Sequence, residues 1–367
     1  MIQALLSIAA RPRVPAALVP ELCARAARID DWDEALLAAE WHGLGPLLYR
    51  HFRDGAVHVP TRAETQLQGL FLRHRGANAV RLRALADILD AFRRDGIEMW
   101  VLKGPALMSL VYGEPALRPT SDLDLLVPRA DVFRAYDLLR DLGFQTPPLG
   151  RHAGFERHHH LPAATRSING VFVQVELHHD ALTKDDGVAL LLDATREPPQ
   201  TFDVLGRTAW ALGRHEMLWH LCEHLVGALP IPLRLIGIAD VIGYAERFSE
   251  QLDWERIECE HPLILSVLGF ADGVSPLPDR VSQRIPGALL TDPRRIADLA
   301  EAWAWSPAGG VRAGGRWSQF RRTLNAPAWW LRLRYRDRHG RAGWQARLRH
   351  LSVVARGVGR RVHLGDE

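Results

Sequence analysis

Cysteine is scarce: Cys23, Cys222 and Cys259 are the whole complement, an odd number spread far apart with no C-x-x-C spacing. That argues against a disulfide framework and against a cysteine zinc site, and it suits a reducing compartment. Lysine is scarcer still. Only Lys103 and Lys184 occur among 46 basic residues, so nearly every cation is arginine and each lysine invites a functional reading. No run approaches the roughly 18 to 20 consecutive apolar residues that a spanning helix needs. The apolar start, Ile2 to Ala10, lacks the preceding Lys or Arg of a secretory signal and reads as the first helix of the fold. The expectation is a cytoplasmic protein with no transmembrane segment. Internal repeats and long low-complexity runs are also missing.

What is present is ordinary globular material. Apolar residues make up 47% and charged residues 24%, which excludes wholesale disorder, and 367 residues suffice for two domains or one domain with long helical additions. The net charge of +3 conceals an asymmetry: residues 311–367 hold 14 Arg against 3 acids, or +11, whereas residues 1–310 carry 32 bases against 40 acids, or −8. The base is in the tail.

Four regions follow from the pattern. Residues 1–95 read as a helical N-terminal region, with sets such as Leu36, Leu37, Trp41, Leu44 and Leu82, Leu85, Leu89, Phe92 at helical spacing and a stop at Asp95-Gly96. Residues 96–185 change texture into a small α/β core. Ile97–Leu102, Asp122–Val127, Phe155–Leu161 and Val171–His178 read as strands, with Ala106–Tyr112 and Arg129–Leu142 as helices. Residues 186–307 read as a second helical region, with His215–Leu229, Leu233–Phe248 and Pro262–Gly269 as helices. The Gly-rich stretch from Ala308 opens a basic, Arg/Trp-rich tail, 308–367.

The sharpest local feature is Ser121-Asp122-Leu123-Asp124-Leu125-Leu126-Val127. Alternate strand residues share a face, so Asp122 and Asp124 project together and repel each other unless a cation sits between them. Hard divalent ions, Mg²⁺ above all, suit such a pair. Upstream, Leu102-Lys103-Gly104-Pro105 turns a strand into a helix, a place where a phosphate finds unpaired N–H groups and here a lysine. Downstream, Glu176 and His178 share one face of an alternating strand. A third carboxylate beside the Asp pair would complete a two-metal site.

On these residues the span Leu102–Phe144 resembles the uncharacterised nucleotidyltransferase family of the DNA polymerase β-like nucleotidyltransferase superfamily. That family's pattern is a strand ending L-K-G, a helix, a Tyr, an Arg, then D-[IL]-D-L-L-V and later a strand ending E-[IL]-H. Here Lys103, Gly104, Tyr112, Arg118, Asp122, Asp124 and Glu176-Leu177-His178 fill it, and His224, Leu233, Arg234 and Asp240 continue it.

The resemblance implies an α+β fold, a small mixed-sheet core flanked by N-terminal and C-terminal helical regions. It implies Asp122, Asp124 and Glu176 as metal ligands and catalytic carboxylates for two Mg²⁺ ions, with Glu176 or Asp124 helping to deprotonate the acceptor. Lys103, Gly104, Arg118 and Ser121 would contact a nucleoside triphosphate, and His178, His224 and Asp240 would line the cleft. One departure stands out: the superfamily's Gly-Ser pair is replaced by Lys103-Gly104, so Lys103 must supply the phosphate contact. The implied activity is transfer of a nucleotide to an unknown acceptor, a peptide, glycan or small molecule before tRNA. The rival reading is a non-catalytic protein of the same fold that holds an anionic partner through its tail.

Two further clusters compete for attention. His220-Leu221-Cys222-Glu223-His224 matches H-x-x-E-H, a zinc-peptidase pattern, but lies in a helix whose Leu218, Leu221 and Leu225 already define a core face. His158-His159-His160 reads as part of a strand along the cleft. In the tail, Trp344, Leu348, Leu351 and Ala355 fall on one helical face with Arg on the others. That pattern suits an anionic surface, either a membrane interface or a polyanion, or else docking of the Trp face on the body.

Overall fold

The computed structural model describes residues 1–148, 158–182, 189–227, 233–290, 324, 326, 328–335 and 343–362. Lys184, residues 155–157 of one expected strand, Trp317 and the Gly-rich stretch 308–315 lie outside them.

Helices α1 (Ile2–Ala9), α2 (Val19–Ala26), α3 (Trp32–Trp41) and α4 (Gly45–Asp54) lead into α5, which runs 34 residues from Thr61 to Arg94. Asp31 caps α3 by accepting from the Glu34 amide at 2.9 Å. The long helix stops where Asp95-Gly96 predicts, because Gly96 takes φ 68°, a left-handed conformation that favours glycine. α5 touches the sheet described next and the short 3₁₀ turn Pro115–Leu117.

The strands are β1 (Trp100–Val101), β2 (Asp122–Leu126), β3 (Ala164–Ile168), β4 (Val171–His178), β5 (Gln200–Val204) and β6 (Arg207–Ala211). They form one mixed sheet in the order β3-β4-β2-β1-β6-β5. The pairs β2·β4 and β1·β6 are parallel and the others antiparallel. Helix α6 (Lys103–Leu107) follows β1 directly and continues as a π turn through Tyr112, and α7 (Val132–Asp141) follows β2. The expected α+β class with a mixed sheet between helical regions is what the chain adopts.

Three local readings differ from the structure. Residues 158–161 form no strand; His160 makes only an isolated bridge to His178. The partner of β4 is instead Ala164–Ile168, joined through Asn169-Gly170 with φ 50° and 76°, a tight hairpin turn. The hairpin β5–β6 lies inside the 186–307 stretch read as helical, so the sheet runs past residue 185. Its turn, Leu205-Gly206, puts a leucine at φ 52°, which hides the usual Asn or Asp signal.

Helices α8 (Arg214–Gly227), α9 (Leu235–Phe248), α10 (Trp254–Glu260), α11 (Leu263–Val274) and the short α12 (Asp279–Ser282) and α13 (Gly287–Leu290) complete the body. In the tail, α14 (Ala328–Arg334) packs on α8 and α11 and buries Trp330 and Leu331. α15 (Gly343–Val362) turns Ala346, His350 and Val354 inward and leaves Trp344 63%, Leu348 56% and Leu351 41% exposed. Of the two readings of this helix, contact with an anionic surface or docking of the Trp face on the body, the docking is not what the chain adopts: the opposite face is buried, where Tyr335 and Trp330 meet His350. No helix among the described residues is long and apolar enough to cross a membrane.

Candidate active site

The parallel register of β2 and β4 sets Asp122 beside Gln174, Asp124 beside Glu176 and Leu126 beside His178. Since alternate residues share a face, both Asp residues stand next to the row Gln174, Glu176, His178. Leu123, Leu125, Val173, Val175 and Leu177 are fully buried on the other face, which locks the register: a slip of one residue would put the carboxylates into the core.

Asp124 is the centre of the cluster and is almost fully buried. Its Oδ1 accepts from His178 Nε2 at 3.1 Å, and its Oδ2 forms an ion pair with Lys103 Nζ at 3.1 Å. Burial works to raise its pKa, but Lys103 and His178 prevail and hold the carboxyl well below the usual range. Asp122 behaves oppositely: burial first and repulsion from Asp124 second raise its pKa, with Lys103 offsetting them in part. Burial also works against the Lys103 ammonium, yet Asp124 and Asp122 outweigh it and keep it protonated. Glu176 lies 3.8 Å from His178 Nε2 and accepts from Gln174 at 2.8 Å.

Among the described residues, Asp124, Glu176 and His178 form the group whose ligand atoms all lie within 4.8 Å of one another. Asp122 is not a member of it. Two carboxylates and an imidazole are a fitting donor set for a divalent cation. Neighbouring ligand atoms around an octahedral ion with bonds of about 2.1 Å stand about 3.0 Å apart, close to the Asp124–His178 separation of 3.1 Å. His178, read from the sequence only as a cleft residue, thus stands among the metal-binding candidates.

The remaining expected residues are placed as follows. Gly104 backs onto Thr120: a Cβ built there would lie 2.8 Å from Thr120 Oγ1, so the α6 entry has room only for glycine. Thr120 in turn donates to the Asp122 carbonyl at 3.2 Å, tying that entry to the start of β2. Ser121 is exposed at the mouth of the strand. Arg118 is held within the protein: Nε and Nη2 reach both Asp240 oxygens at 3.3 and 2.7 Å, and Nη1 donates to the Pro119 carbonyl at 3.1 Å. Tyr112 donates to Asp240 Oδ1 at 2.7 Å, so Arg118, Tyr112 and Asp240 form one buried unit joining the loop before β2 to α9. Burial opposes the Arg118 charge, and Asp240 more than restores it.

His224 Nε2 lies 3.5 Å from Lys103 Nζ, and that ammonium, before burial, drives the imidazole pKa well down. The H-x-x-E-H residues form no metal-binding group among the described residues. His220 Nδ1 bonds the Ala181 carbonyl at 2.9 Å, and Glu223 accepts from Trp219 and lies 3.9 Å from Arg334 of the tail. Of the histidine triplet, the His159 and His160 rings both meet His178, at 5.4 and 5.2 Å.

Sequence reasoning missed two contributors. Asn78, fully buried in α5, donates to the carbonyls of Pro115 at 2.7 Å and Arg118 at 3.1 Å and so clamps the loop that leads into β2. Its only sequence signal is a polar residue in a helix rich in apolar neighbours. Arg81, one turn further on, and Arg234 each stand close enough for Asp122 to favour their charge, although burial lowers both. Arg234 entered only through the family pattern.

No curated protein matches the chain in sequence. Among solved structures, the antibiotic-resistance factor ANT(2'')-Ia in solution aligns over 52% of this chain and 94% of its own, at 15% identity and a TM-score of 0.35. ANT(2'')-Ia in complex with adenylyl-2''-tobramycin aligns over 52% and 99%, at 14% identity and a TM-score of 0.36. An antigenic nucleotidyltransferase-like protein from Paracoccidioides brasiliensis aligns over 55% and 97%, at 16% identity and a TM-score of 0.34. Likeness at this level bears no argument. The sequence match to a family model is different in kind: it covers residues 29–261, more than half of the chain and all six strands, so the chain belongs to the uncharacterised nucleotidyltransferase family.

Proposed function

We propose that this protein is a divalent-metal-dependent nucleotidyltransferase of the cytoplasm, which passes a nucleotide from a nucleoside triphosphate to a hydroxyl of a peptide, glycan or small molecule. The observation that carries the reading is the convergence of Asp124, Glu176 and His178 on one face of β2 and β4, with Asp122 beside them. A divalent ion such as Mg²⁺ held there supplies charge neutralisation and polarisation at the reacting phosphate.

The chain's own groups do the rest. Lys103, Arg81 and Arg234 gather positive charge around Asp122, which suits a triphosphate. Of the two carboxylates considered as base, Glu176 is the better placed. Asp124 is almost fully buried between Lys103 and His178, whereas the Glu176 side chain is 21% exposed. The acceptor oxygen bonds to the α-phosphorus, the bond to the bridging oxygen of pyrophosphate breaks, and the hydroxyl proton passes to Glu176. The tail presents Arg347 and Arg349 with the exposed Trp344, Leu348 and Leu351 to an anionic surface.

Calorimetric titration with each of the four nucleoside triphosphates, with and without Mg²⁺, tests the reading. Metal-dependent binding of at least one is expected, and Glu176→Gln should lower pyrophosphate release by at least roughly a hundredfold while weakening that binding less. Absence of any metal-dependent nucleotide binding would refute the proposal. Tight binding without turnover towards any hydroxyl acceptor would favour a non-catalytic nucleotide-binding role.

A further inference from the structure

We infer that this centre takes a single divalent cation, in a site made of Asp124, Glu176 and His178, and that the Lys103 ammonium stands where a second cation would sit against Asp124. The inference rests on the metal-dependent reading above and sharpens it. It also replaces the two Mg²⁺ ions that the family resemblance implies.

A two-ion centre with ions about 3.5 to 4 Å apart needs a carboxylate that gives one oxygen to each. Asp124 is the carboxylate with a cationic or ligand-bearing neighbour on both sides. Its Oδ1 faces His178 Nε2 at 3.1 Å with Glu176 behind, and its Oδ2 faces Lys103 Nζ at 3.1 Å. Lys103 is not a mobile surface side chain. It is 13% exposed, leaves the backbone at the entry to α6 directly after β1, and has His224 Nε2 3.5 Å away on its other side. An ion placed against Oδ2 would have to share that space with an ammonium and would be repelled by it.

Charge arithmetic points the same way. Asp122, Asp124 and Glu176 carry three negative charges when ionised, and one divalent ion with Lys103 carries three positive ones. Arg118 and Asp240 already neutralise each other. A second divalent ion would leave these groups with an excess of two, besides the charges of Arg81 and Arg234 near Asp122, before any substrate arrives.

The donor set adds a selectivity. Mg²⁺ keeps to oxygen ligands, whereas an imidazole nitrogen favours Mn²⁺ and later first-row ions. With His178 as the third ligand, the site should prefer Mn²⁺ to Mg²⁺. His178→Ala should then weaken Mn²⁺ at least about tenfold and Mg²⁺ much less.

The test is to count Mn²⁺ on the full chain by electron paramagnetic resonance of the free ion, first without nucleotide. One ion per wild-type chain is expected, and Lys103→Met, which removes the ammonium at similar length, should admit a second. Two ions on the wild-type protein would overturn the inference, as would a Lys103→Met protein that binds one ion with unchanged affinity. If Lys103→Met does not fold, the wild-type count and the His178→Ala selectivity still decide: an Ala variant that binds Mn²⁺ as the wild type does removes His178 from the site. No Mn²⁺ bound with or without α,β-methylene-ATP would bring down the metal-dependent reading as well, whereas two ions would leave that reading standing.

Discussion

Asp240→Ala should destabilise the protein by about 3–5 kcal/mol, the cost of leaving a buried cation without its partner. Asp240 is almost fully buried on α9, and the Arg118 side chain is 12% exposed, so water can do little to solvate the guanidinium once the carboxylate is gone. Tyr112 loses its acceptor at the same time, a further contribution of about 1 kcal/mol. The damage should spread to the site, because residues 118–120 run directly into β2, and Thr120 lies against Gly104 and donates to the Asp122 carbonyl. Urea unfolding followed by tryptophan fluorescence measures the loss, and nucleotide binding measures its reach. The mechanism predicts partial rescue: Arg118→Met combined with Asp240→Leu removes both charges and should return stability to within about 1–2 kcal/mol of the wild type, since a buried pair is often no better than apolar residues of similar volume. If Asp240→Ala costs less than about 1 kcal/mol, or the double variant is worse than the single ones added together, the account of this pair as a mutually dependent buried unit is wrong.

Other outcomes follow from the same geometry. Asp124→Ala should abolish transfer and lower stability by about 3 kcal/mol, because it removes a metal ligand and strands the Lys103 ammonium; Asp122→Ala relieves repulsion and should hold or raise the urea midpoint. His51 is buried with Nε2 on the Arg11 carbonyl at 3.0 Å, and burial pushes its pKa from 6.5 down to about 4. Its folded value lies below its unfolded one, so its contribution is complete above pH 6.5 and is lost as the pH falls towards 4. The loss amounts to about 3 kcal/mol. Stability measured between those limits should fall less steeply in His51→Asn, by about one proton, and an unchanged slope would refute the assignment. Replacing Trp344, Leu348 and Leu351 by Gln should leave the melting temperature unchanged, because all three are exposed, and should weaken salt-sensitive binding to vesicles rich in anionic lipid. A lowered melting temperature would show that this face is covered.

Much of the site's floor was legible without coordinates. The period-two alternation of Asp122, Asp124 and of Glu176, His178 is a property of the strand backbone itself, so it predicts which side chains share a face as soon as the strand is recognised. The stop at Asp95-Gly96 is local for the same kind of reason. Asn169-Gly170 carries an equally local hairpin signal, whereas Leu205-Gly206 puts a leucine where Asn or Asp would mark the hairpin β5–β6.

Pairing was another matter. That Lys103 sits on Asp124 and close to His224, that Arg118 is committed to Asp240 across 122 positions, and that Asn78 clamps the carbonyls of Pro115 and Arg118 depends on which elements pack together. Local periodicity constrains a residue's direction relative to its own backbone. The identity of the group it meets there is set by the burial of apolar faces over the whole chain, and only the tertiary structure decides that.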